Sequence, residues 1–222
     1  MLNLGSIRGT SMHVDFNFII LVAFFALINY DERAGIQYAL LWIPIVFVSV
    51  LVHELAHAAA YGMFGFGPSR ILLTGMGGLT FNDSRDVRPW QDVVISVAGP
   101  ASSFGLMLLS AWLQTTGVGS SDRMLTALLP RMALACFFWG MFNLIPLKPL
   151  DGGHAIHSFF RIFLDPRRAF TIATWIGIVA GAGTVVYFLL GRQIFLALFI
   201  AWFIYMAWQR WEDFRRSGIP GD

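Results

Sequence analysis

The stretch Ala39-Leu40-Leu41-Trp42-Ile43-Pro44-Ile45-Val46-Phe47-Val48-Ser49-Val50-Leu51 runs without a break into Val52-His53-Glu54-Leu55-Ala56-His57-Ala58. The first part has the apolar character of a membrane-crossing helix, and the second puts two imidazoles and a carboxylate near that helix's far end. Residues four apart on an α-helix lie almost one above the other, so His53 and His57 can offer both rings to a single metal ion. Glu54 follows directly and projects about 100° further round the axis. It is poorly placed to be a third ligand and well placed to reach a water at the metal's open position. Ionisable groups at membrane depth are costly, which marks this stretch as functional.

The rest of the composition agrees with a membrane setting. Hydrophobic residues make up 57% of the 222-residue chain and charged residues 13%, against roughly 25% charged in ordinary soluble domains. The chain therefore reads as an integral membrane protein surrounded by the lipid bilayer. The single cysteine, Cys136, lies inside an apolar run and has no internal disulfide partner, so it reads as a packing residue. The 15 basic residues are scattered through the loops. They form no stripe for nucleic acid, and no nucleic-acid partner is expected. The N-terminus lacks the pattern of a cleaved signal peptide, and the run after His13, Asp15 and Asn17 reads as a retained first span.

Six apolar segments are bounded by charges or by Gly and Pro: about 14–30, 36–61, 93–113, 124–145, 170–190 and 194–211. The expected fold class is an all-α polytopic membrane protein of about six transmembrane helices. Asp31-Glu32-Arg33 closes the first segment. Six spans put the two termini and the loops after the second and fourth spans on one side. That side holds Arg8, Arg70, Arg85, Arg88, Lys148, Arg161, Arg167, Arg168, Arg210, Arg215 and Arg216, and the other holds Arg33, Arg123, Arg131 and Arg192. Eleven against four predicts both termini in the cytoplasm, with the cell membrane as the location.

Between the second and third spans lie two short apolar runs around a glycine cluster, Ile71-Leu72-Leu73-Thr74-Gly75-Met76-Gly77-Gly78-Leu79-Thr80-Phe81. This pattern predicts a short β-hairpin or re-entrant element, and irregular backbone at that depth needs protein or water against it. A sheet edge there could pair with an extended substrate, with Gly75, Gly77 and Gly78 as substrate-binding positions. The simpler reading is a glycine turn joining two spans. Small residues in Ser96-Val97-Ala98-Gly99-Pro100-Ala101-Ser102-Ser103 read as helix packing.

After the fourth span the chain reads Asn143-Leu144-Ile145-Pro146-Leu147-Lys148-Pro149-Leu150-Asp151-Gly152-Gly153-His154. Two prolines end the helix, and the two glycines permit close backbone approach. A catalytic zinc takes three protein ligands and leaves one position open, and Asp151 is the natural third ligand beside His53 and His57. The competing reading makes Asp151 an N-cap of the helix that follows. His154 and His157 are rival ligands that read as outer partners or interfacial residues. Asn143 either meets a substrate backbone or satisfies a carbonyl between helices.

These residues resemble the site-2 protease family of intramembrane zinc metalloproteases. The resemblance rests on His53 to His57, the glycines from Gly75 to Gly78, Ala98-Gly99-Pro100, and the run from Asn143 to His154. It implies a three-helix catalytic core within about 36–163, flanked by helices at about 14–30, 170–190 and 194–211, all in one metalloprotease domain over 1–222. It further implies one Zn2+ held by His53, His57 and Asp151, Glu54 as general base, and a substrate that is a transmembrane segment of another membrane protein. No further folded module fits beside this core, so the sequence reads as a minimal member; a homo-oligomer is compatible with it. Two positions depart from the family's usual pattern. Ser103 stands where an Asn is common, which alters an expected substrate-positioning contact, and Lys148 charges a segment that is usually neutral. The rival reading is a non-proteolytic metal transporter or an inactive scaffold. Transporters spread polar residues across several spans, whereas here they concentrate at one depth.

Overall fold

In hydrocarbon every backbone N–H and C=O must be satisfied within its own segment, and long apolar runs meet that demand as helices. The computed structural model of the chain describes residues 1–30, 32, 35–84 and 86–217. Asp31, Arg33 and Arg85, which entered the sequence reading as loop charges, lie outside the described residues. Among the described residues five helical segments are long and apolar enough to cross a membrane: Ile36–Met63, Pro89–Thr115, Arg123–Asn143, Pro166–Leu190 and Ile194–Arg216. The protein is an integral multi-pass membrane protein. Their outer faces carry Leu108, Phe138, Val179 and Leu198 in the open, each at least 60% exposed, as contact with lipid tails requires.

In chain order the elements are β1 (Leu2–Ile7), β2 (Thr10–Val14), α1 (Phe16–Ile28), α2 (Ile36–Leu40), α3 (Trp42–Met63), β3 (Arg70–Thr74), β4 (Gly77–Phe81), α4 (Pro89–Thr115), α5 (Arg123–Asn143), α6 (Asp151–Arg161), α7 (Pro166–Leu190) and α8 (Ile194–Ser217). The first expected span differs most. Asp15 accepts a hydrogen bond from the Phe16 N–H at 2.7 Å and caps α1, while Val14 belongs to β2. The resulting helix has 13 residues and rises about 20 Å, short of the roughly 30 Å hydrocarbon core. The expected total of six crossings is therefore not reached by helix length alone.

The chain divides into two compact units, residues 1–85 with 98–141 and residues 86–97 with 142–222. The first unit holds a four-stranded sheet in the order β1-β2-β3-β4. β1 and β2 form a hairpin whose two-residue turn, Arg8-Gly9, has positive φ at both positions. β2 pairs parallel to β3, and β3 pairs antiparallel to β4 with Thr74 opposite Gly77 and Ile71 opposite Thr80. The hairpin expected after the second span is thus present, as part of a larger sheet. The core of this unit joins Val46 and Val50 of α3 to Ile71 and Leu73 of β3, Phe18 of α1, and Met132 and Cys136 of α5. Cys136 is a buried packing residue, with its sulfur 3.3 Å from the Ser49 hydroxyl.

The second unit is helical. α7 and α8 pack along their lengths, and Leu147 and Leu150 from the segment before α6 are buried with Ile200, Phe203 and Ala207 of α8. Asp165 caps α7 by accepting from the N–H groups of Arg167 and Arg168, and Pro166 starts the helix at the position where a missing N–H costs nothing.

Candidate metal centre

The site of the first unit grows from α3. Helical spacing puts His53, Glu54 and His57 on the inward side, and all three are buried, His53 at 2% exposed. The two imidazoles stand edge to face with their centroids 4.9 Å apart. Their Nε2 atoms aim at the same place, the hydrogen-only flank of Gly99 on α4. A Cβ built on Gly99 would collide with the Nε2 of His57 and lie 2.6 Å from the Nε2 of His53. Gly99 therefore does more than let helices pack: it leaves the space that both Nε2 atoms face.

On its other side the His53 ring meets Ser103, one turn further along α4, with Nδ1 and the hydroxyl oxygen 3.0 Å apart. Trp139 of α5 stands edge to face with the same ring, centroids 6.4 Å apart. The sequence reading linked Ser103 to a substrate contact; the structure turns its hydroxyl onto a histidine.

Glu54 is held by β4. The Thr80 hydroxyl donates toward Glu54 Oε2 at 2.7 Å, with the Glu54 carbonyl 3.2 Å away. A Cβ on Gly78 would overlap the Glu54 side chain, so only glycine fits beside the carboxylate. Gly77 is in the positive-φ region at 117° and faces Trp139, to which a Cβ would come within 2.9 Å. Gly75 lies in the turn between β3 and β4. Of the glycine cluster, Gly78 sits against the carboxylate, while Gly77 faces Trp139 and Gly75 faces Asn17. Gly99, Ser103, Thr80 and Trp139 were absent from the candidate site residues, because no spacing rule connects them to His53 and Glu54 before the fold is known.

In the second unit Asp151 opens α6. The N-cap is Leu150, with extended backbone and no side-chain cap, so Asp151 is the first helical residue and the capping role fails. A carboxylate in the first turn is favoured there by the helix dipole. Gly152 and Gly153 lie against backbone, Gly152 facing the Leu144 and Ile145 carbonyls and Gly153 the Lys148 amide, so neither tolerates a side chain. Asn143 is the last residue of α5. Burial, then the charge of Lys148, lowers His154 to about 4. Burial, then Lys148, Arg161 and His154, lowers His157 to about 4 as well. Both imidazoles are neutral at pH 7.

The residues of α3 fit a divalent ion of zinc's character. Two buried imidazole nitrogens share one target point, and an outer hydrogen-bond partner fixes one ring, as nitrogen-liganded zinc sites require.

Comparison with known proteins follows the same residues. The Peptidase M50B-like family model matches residues 18–150. The zinc metalloprotease MJ0392 of Methanocaldococcus jannaschii is 31% identical over 175 residues, covering 77% of this chain and 49% of that protein. Rip3 of Mycobacterium tuberculosis is 32% identical over 189 residues, covering 76% of this chain and 45% of that one. The chain spans about half the length of the curated relatives it matches. Among solved structures, the site-2 protease from Methanocaldococcus jannaschii superposes with a TM-score of 0.61 over 94% of both chains at 24% identity, which shows the shared fold. Since the family match takes in the histidine helix, the glycine hairpin and the segment up to Leu150, over more than half the chain, this protein belongs to the Peptidase M50B-like family, that of the site-2 proteases.

Proposed function

We propose that the chain is a zinc metalloendopeptidase that hydrolyses peptide bonds within or near the membrane-spanning segments of other membrane proteins. The observation that carries this reading is the aim of both Nε2 atoms at one point beside Gly99, with Glu54 held alongside by Thr80. In this reading His53, His57 and Asp151 hold one zinc, which supplies the acidity that makes water nucleophilic near neutral pH. Support for Asp151 comes from its position directly after the family-matched segment 18–150 and from its place in the first turn of α6, where the helix dipole favours a carboxylate.

Glu54 is the proton carrier. Its carboxylate takes a proton from the attacking water and returns it to the leaving amine, so one side chain serves both halves of the hydrolysis. Burial at 4% exposure keeps bulk water from competing for that proton. The Thr80 hydroxyl fixes the carboxylate's rotamer, so little reorganisation is left for the moment of reaction.

The substrate must present an accessible carbonyl, and an intact helix hides its carbonyls in hydrogen bonds. Extended substrate beside β4, the last strand of the sheet, would have its backbone satisfied by strand addition next to Glu54, with Gly75, Gly77 and Gly78 lining the approach and Asn143 as a further backbone partner. Segments with helix-weakening residues are the expected targets. The bias of eleven basic residues against four supports both termini in the cytoplasm when α1 is counted as a crossing, with the cell membrane as location.

The test is cleavage of a single-span peptide carrying mid-span glycines, co-reconstituted in liposomes with the zinc-loaded protein. Glu54→Gln is expected to keep its zinc and lose cleavage. A fully active Glu54→Gln protein would remove Glu54 from the mechanism, and a parent protein that binds zinc and cleaves no membrane segment would overturn the assignment.

A further inference from the structure

The Ser103 hydroxyl meets the His53 ring at Nδ1, the nitrogen on the far side of the ring from Nε2. We infer that Ser103 is a positioning residue for the metal: it accepts the Nδ1–H of His53 and so commits the Nε2 lone pair to the point beside Gly99. This inference rests on the proposed role of His53 as a ligand.

A neutral imidazole carries one proton, on either nitrogen, and only the other nitrogen can bind a metal. The Nε2 atoms of His53 and His57 face the same small space beside Gly99. A proton on the His53 Nε2 would fill that space and leave the lone pair on Nδ1, directed at Ser103. A proton on Nδ1 reverses both conditions, and the Ser103 oxygen lies 3.0 Å from it, at hydrogen-bond distance. Ser103 is itself 2% exposed, so water does not compete for the contact.

The serine is also pinned. It stands on α4 four residues beyond Gly99, so one helix supplies both the space for Nε2 and the acceptor for Nδ1. From the other side, a Cβ built on Gly140 of α5 would lie 3.3 Å from the Ser103 Cβ, so α5 packs closely beside the serine.

Outer hydrogen-bond partners of metal-binding histidines typically contribute about 10–100-fold in affinity. The experiment measures zinc affinity by chelator competition in the detergent-purified full chain, for the parent, Ser103→Ala and Ser103→Thr, together with the visible spectrum of the Co2+-loaded forms. Ser103→Ala is expected to bind zinc about 10–100-fold more weakly with an altered Co2+ spectrum, and Ser103→Thr, which keeps the hydroxyl, to recover most of the affinity. Alanine binding zinc as tightly as the parent with an unchanged spectrum would overturn the inference. A direct readout needs no variant. Nitrogen-15 NMR of the zinc-loaded, histidine-labelled parent is expected to show His53 protonated at Nδ1 and bound through Nε2, and binding through Nδ1 would contradict it. A parent that binds no zinc at all would sink the underlying site reading, which is a different outcome from either.

Discussion

At the scale of single residues, the shared buried face of His53, Glu54 and His57 on α3 was legible and its supports were not. His53, Glu54 and His57 announce themselves because helical periodicity alone fixes their relation. Gly99, Ser103 and Thr80 sit 42, 46 and 23 positions beyond His57, by their numbers in the chain, and only the fold brings them to it. Their contributions are separable. Gly99→Ala places a methyl group where both Nε2 atoms point, and zinc per chain, measured by metal analysis, is expected to fall more than tenfold. Thr80→Val keeps the shape of the side chain and removes the donor to Glu54. Loss of one hydrogen bond to a carboxylate, worth roughly 1.5–3 kcal/mol, predicts a fall of about 10–100-fold in kcat with zinc retained. Unchanged turnover in Thr80→Val would show that packing alone holds Glu54.

Whole elements were read with uneven success, for physical reasons. The long helices were visible because an apolar run of about 20 residues has few alternatives in lipid. The glycine cluster was recognised as a hairpin but not as the neighbour of Glu54. In β4 the demand for glycine is local, and Gly78→Ala is expected to displace the carboxylate and cut cleavage by about a hundredfold while zinc binding persists. The β1–β2 hairpin went unread because its turn, Arg8-Gly9, lacks the usual Asn-Gly signal and its outer strand is exposed along its whole length. In α6, His154 and His157 fall to about 4 on folding, against about 6.5 unfolded. The folded state binds fewer protons in that window, so their contribution is present above about pH 6.5 and is lost as pH falls toward 4. The Nε2 of His157 is buried without a partner among the described residues. Thermal unfolding in detergent between pH 7.5 and 5 is therefore expected to show a smaller acid-induced drop for His157→Phe than for the parent. Equal drops would place the acid sensitivity elsewhere.

For the molecule as a whole, composition was enough to establish a multi-pass membrane protein, and two distant motifs were enough to suggest the family. The number of crossings was not fixed by either, because Asp15 and the strand before it shorten the first apolar run to 13 helical residues. The division into two compact units could not be read from hydropathy, since α4 supplies its first turns to one unit and the rest to the other. The central claim is that ligands from distant parts of the chain hold one zinc. Metal content of the purified parent, His57→Ala and Asp151→Ala proteins tests it most directly. The account predicts about one zinc per chain in the parent and its loss in both variants; zinc retained at the parent level in Asp151→Ala would contradict it and leave the metal to the histidine helix without this aspartate.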